Sequence, residues 1–130
     1  MLPEKKNIIE SLARLEGWRL SYDLCSGCKL YNPDGTYLAA RVPENWEKLI
    51  EYGVPDYTKS IEDIRTAMLK MSESQMLHLN ERLKIIWKMQ RQPQIRYEHW
   101  LLTMNPDDLS LQVHIALVLH SKQHSPNPED

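Results

Sequence analysis

The chain has 130 residues, 42% of them hydrophobic, and a formal charge of −2. These values suit a single compact domain with its own core and exclude a strongly basic polyanion binder at the level of the whole chain. No run approaches the ~18 apolar residues of a membrane-spanning helix, and Met1 to Lys6 lead into no apolar signal core, so a cytoplasmic protein with no membrane partner is expected.

From residue 5 to 16, Ile8, Ile9, Leu12 and Leu15 fall on one helical stripe and Gly17 supplies the stop. The pattern then turns to alternation: Trp18, Leu20, Tyr22 and Leu24 stand against Arg19, Ser21 and Asp23, the period of a half-buried strand. Cys25-Ser26-Gly27-Cys28 interrupts it, Lys29 to Tyr31 resumes an extended run, and Pro33-Asp34-Gly35-Thr36 is a hairpin turn. Its proline presets φ and its glycine accepts a positive φ. Residues 36 to 42 form the partner strand, so 18 to 42 reads as an antiparallel meander.

Pro43 to Ile50 opens a short helix that Gly53 and Pro55 stop. Ser60 is the N-cap of a helix over Ile61, Ile64, Met68 and Met71. Ser72 with Gln75 is a capping-box pattern opening another over Met76, Leu79, Leu83 and Ile86. Pro93 ends that helix, and the aromatic and β-favouring content of 95 to 104 predicts a further strand. Asn105-Pro106-Asp107-Asp108 is a helix start, although residues 109 to 119 also alternate well enough for a strand. The start signal decides for helix, apolar on most sides and so deeply buried or facing a partner. The expected organisation is one α+β domain over 1–120, an antiparallel sheet with helices on both faces, and a disordered tail over 121–130.

This order of elements, with Gly17-Trp18, Pro33-Asp34-Gly35-Thr36 and Pro55-Asp56-Tyr57-Thr58 at these spacings, resembles the phage ABA sandwich domain proteins over residues 7 to 120. The resemblance implies a small phage or prophage protein with helices on both sides of an antiparallel sheet. It implies no established activity. The CSGC turn and the very apolar last helix depart from the family pattern.

Candidate chemistry is sparse. Cys25 and Cys28 have the spacing of half a zinc site, but neither His78 nor His99 shows ligand spacing with another histidine, so two reduced thiols in a turn are expected and no metal or cofactor. Arg82, Lys84, Lys88, Arg91 and Arg96 form a basic run that could hold phosphates, with Trp87 and Tyr97 as stacking candidates; a solvated face is the plainer alternative. His114 reads as a neutral, partly buried side chain. Asp56 with Tyr57 fixes a turn, and Glu62 and Asp63 serve a helix start. No nucleophile triad, phosphate loop or zinc-protease motif is present, so no enzyme is expected. Leu111, Ile115 and Val118 leave apolar surface for a partner or a second copy of the chain.

With the resemblance, these features point to a non-enzymatic binding protein of phage origin, acting in the host cytoplasm. It would be a counter-defence, anti-CRISPR-like inhibitor that occupies a host antiviral component such as a CRISPR effector. Sequestration of a signalling nucleotide and nucleic-acid binding, both through the basic run, are the alternatives.

Overall fold

Ile8, Ile9, Leu12 and Ala13 recur at helical spacing, and they are the face that α1 (Lys5–Glu16) buries. Gly17 ends the helix at φ 120°, with the N–H of Trp18 returning to the carbonyl of Ala13 at 2.9 Å. A Cβ at residue 17 would also come within 3.3 Å of the Cα of Pro33, so only glycine suits both the reversal and the close approach. The computed structural model describes residues 2–90 and 94–124.

The meander follows, but of the apolar half of the expected alternation only Trp18 and Leu20 turn to the core, whereas Tyr22 and Leu24, toward the first turn, are exposed. Strands β1 (Arg19–Asp23), β2 (Gly27–Tyr31) and β3 (Tyr37–Ala39) form one antiparallel sheet in that order, with Leu20 opposite Leu30 and Tyr22 opposite Cys28. In the first turn, the N–H groups of Cys25 and Ser26 donate to Asp23 Oδ1 at 2.9 and 2.5 Å. In the second, Asn32 Oδ1 accepts from Asp34 and Thr36, and Gly35 takes φ 89°. The third strand is shorter than the expected 36 to 42. A bulge at Leu30/Tyr31 shifts the register, and Arg41 adopts φ 55°, which ends the extended run before Val42 N–H rejoins Cys28 O.

The fold is α+β, as the sequence leads one to expect. Leu20, Cys28 and Leu30 place one face of the sheet on the core, whereas the other carries Arg19, Ser21, Lys29, Tyr31 and Tyr37 at half or full exposure. The described chain therefore buries one face of the sheet, not two, because the alternating residues of that second face are polar or amphipathic.

The short helix expected from Pro43 begins later, as a 3-10 helix over Lys48–Tyr52. Asn45 Oδ1 accepts from the N–H groups of Glu47 and Lys48 and holds the entry, while Trp46 is buried. Both serine caps form. Ser60 Oγ accepts from Asp63 N–H at the start of α2 (Ile61–Met68), and Ser72 and Gln75 exchange both bonds of a capping box on α3 (Glu73–Met89).

The strand expected over 95–104 is instead a short helix, α4 (Tyr97–Leu101). Tyr97, Trp100 and Leu101 are spaced i, i+3, i+4, and packing that stripe outweighs the β-favouring composition. Helix α5 (Pro106–His124) confirms the start signal at Asn105-Pro106 and buries Leu109, Val113 and Ala116. It continues through Ser121, Lys122 and Gln123, so the expected disordered tail does not begin at 121; residues 125–130 lie outside the described residues. Ser110, fully buried on the same helix, is satisfied by donating to Asp107 O at 3.1 Å. Helix α5 contacts α1, α2 and α3, and the core gathers around it.

Truncating Leu79, which is fully buried on α3, to alanine should cost about 2–5 kcal/mol in urea unfolding. The same change at Leu77, 59% exposed two residues earlier, should stay within about 0.5 kcal/mol. Equal losses at the two positions would contradict the helix orientation described above.

Candidate partner-binding surface

The basic run does not form one stripe. At roughly 100° per residue, Arg82 lies about 200° around the helix from Lys84, and it turns inward, donating from Nε and an Nη to Gln112 Oε1 on α5 at 3.2 and 3.1 Å. Lys84 sits 5.5 Å from the centre of the Tyr97 ring. Lys88 and Arg96 are exposed, and Arg91 lies outside the described residues. The aromatic candidates are engaged as well. Tyr97 meets Trp87 at 5.7 Å and stacks on Trp100 at 6.1 Å. The indole N–H groups of Trp87 and Trp100 donate to Ile95 O and Gln90 Oε1, and Tyr97 donates to Asn80. These rings fasten α4 to α3.

The two thiols diverge. Cys25 is exposed at the turn, whereas Cys28 is buried on the core side of β2, and both are free. Burial, with Glu44 adding to it, pushes the Cys28 thiol up, so it stays protonated. His78 lies against the His120 ring at 5.5 Å, away from the hairpin, and His99 is exposed on α4. Among the described residues, no three His, Cys, Asp or Glu side chains are placed to share a metal ion.

The acids serve structure. Burial pushes the Asp56 carboxyl up, but hydrogen bonds from Thr58 and Lys5 outweigh it and hold the group below its ordinary range. Lys5 Nζ lies 3.1 Å away. Tyr57, fully buried, donates its hydroxyl to Glu16 Oε1 at 2.6 Å. Burial, then the Glu16 carboxylate, drive that hydroxyl's ionisation far up, so it acts only as a neutral donor. The Trp18 indole is buried beside the same hydroxyl and draws its ionisation slightly back down. Asp63 supplies its N–H to the Ser60 cap, and Glu62 is exposed.

The apolar candidates on α5 fare differently. Leu111 packs against the core, whereas Ile115 and Val118 are half-exposed outside it. Val118 lines a groove of about 520 Å³ between α1 and α5. Leu15 and Leu117 share its apolar lining, and the exposed cations Arg14 and Lys122 flank it. Arg14 is held in place by Glu10 at 2.7 Å and by the Trp46 ring at 5.2 Å. The helices are tied together beside the groove, where Ser11 Oγ and His114 Nδ1 share a hydrogen bond of 2.5 Å. Sequence reasoning found Val118 and missed Arg14, Leu15, Leu117 and Lys122, because nothing in the chain announces that residues 11–15 face residues 114–122.

No family model matches the chain, and no match emerges from the curated proteins or the solved structures. No helix of the described chain is long and apolar enough to cross a membrane.

Burial holds the His114 imidazole below its ordinary value, although Glu10 pulls the other way. The folded state therefore favours the neutral ring. That preference contributes fully above the unfolded value of ~6.5 and is lost progressively as pH falls from there toward the folded one. His114→Gln should flatten the fall in stability between about pH 7 and pH 5 relative to wild type, measured by urea unfolding at each pH. Parallel curves would show that His114 is not part of the pH dependence.

Proposed function

We propose that this chain is a non-enzymatic binding protein that occupies a protein partner through the α1–α5 groove. The observation that carries this reading is the groove itself. It combines the partly buried Leu15, Leu117 and Val118, the first two also packed against the core, with two flanking cations, one of them already held in place. Apolar surface of this kind between charged flanks is what a protein contact uses, and a pre-set arginine loses little freedom on binding. The sequence resemblance supplies the setting: a phage or prophage protein in the cytoplasm of an infected or lysogenic bacterium, blocking a host antiviral component such as a CRISPR effector.

A nucleotide or nucleic acid on the basic run has less support. Arg82 is spent on Gln112, the Trp87 and Tyr97 rings are packed against one another, and Lys84 covers the Tyr97 ring.

The test is binding of the purified protein to purified defence complexes, together with phage plating on defended hosts. Wild type should bind at least one complex and raise plating. Val118→Asp combined with Lys122→Glu should weaken binding roughly tenfold or more, with an unchanged far-UV spectrum. No binding to any complex and no change in plating would overturn the counter-defence reading. Undiminished binding by the double variant would remove the groove from it.

A further inference from the structure

Away from the α1–α5 groove, helices α2, α3, α4 and α5 line a second, half-open cavity of about 260 Å³. Met68, Met76, Leu83, Leu101 and Leu109 give it apolar walls from all four helices. Two exposed residues of opposite charge, Arg65 on α2 and Glu98 on α4, line the same cavity, yet they do not close an ion pair with each other or with any other described residue. Asn80 lines the cavity as well, and its carbonyl oxygen is taken by the Tyr97 hydroxyl at 3.2 Å, leaving its amide N–H₂ as a donor.

We infer that this cavity binds a free α-amino acid with an apolar side chain. The chemistry of the lining names the class. A guanidinium and a carboxamide N–H₂ suit a carboxylate, a carboxylate suits an ammonium, and only a zwitterion presents both groups on one carbon. The apolar walls then take the side chain. An apolar cavity of ~150 Å³ holds a benzene ring, so this one has room for the side chain of leucine, methionine or phenylalanine. Methionine walls adapt to each of these shapes. A peptide terminus would satisfy one charge and leave the other facing an uncharged amide, and a fatty acid would set no group against Glu98. The inference is independent of the partner-binding groove and stands or falls apart from it.

Thermal shift and titration calorimetry with L-leucine, L-methionine and L-phenylalanine test it. At least one should bind saturably and raise the melting temperature. Leucine amide and N-acetyl-leucine, which each lack one charge, should bind roughly tenfold or more weakly, as should leucine to Arg65→Gln or Glu98→Gln. Both positions are exposed, so the variants should melt like wild type without ligand. Met68→Trp, which fills the cavity, should abolish binding while leaving both charges in place. Absence of saturable binding by all three amino acids overturns the proposal. Equal binding of leucine and its two blocked analogues overturns the zwitterion recognition on which it rests.

Discussion

The arrangement hangs on one part-buried hydrogen bond, from the Tyr57 hydroxyl to Glu16 at the end of the first helix. Tyr57 is fully enclosed, and its neighbour Asp56 reaches Lys5 at the other end of the same helix. Lys5 and Glu16 are eleven residues apart, about 16 Å along the axis, so two adjacent loop residues brace α1 near both ends. Burial, and then the Glu16 carboxylate, keep the tyrosine a neutral donor, and a hydrogen bond to a charged group contributes about 1.5–3 kcal/mol. Immediately after Glu16, Gly17 lets Pro33 of the second hairpin approach closely. The helix end, the hairpin turn and the loop before α2 thus meet at a single junction.

The proposed function depends on what this junction holds in place. Helix α1 contributes Ser11, Arg14 and Leu15 to the groove; the Tyr57 bond ties its C-terminal end to the loop before α2, and Ser11 with His114 ties it to α5. Arg14 is held by Glu10 and Trp46. The groove is therefore a preformed surface, and a partner would lose little ordering free energy in meeting it.

Much of this was legible in the residues, where the signal is local. Glycine after the α1 stripe, the serine caps at 60 and 72, the Asn32 to Thr36 turn and the Asn105-Pro106 start each act through their own backbone, and each is in place. What was not legible depends on distant packing. Tyr97, Trp100 and Leu101 carry β-favouring side chains but dock on α3 as a helix. Ser121 to Gln123 have no apolar residue to mark them, yet the helix passes through them without a break. The same limit applies to the sites. Arg82 looked like part of a basic run that could hold phosphates because its partner, Gln112, lies 30 residues away, and the cations that do flank a groove, Arg14 and Lys122, come from opposite ends of the sequence.

That the junction at Glu16 holds α1, and with it the groove, is tested most directly by native-state amide hydrogen exchange on Tyr57→Phe. The account predicts that protection falls together across α1 and residues 54–60, by about 1–3 kcal/mol. Faster exchange confined to the loop around residue 57, with the amides of α1 as protected as in wild type, would contradict it.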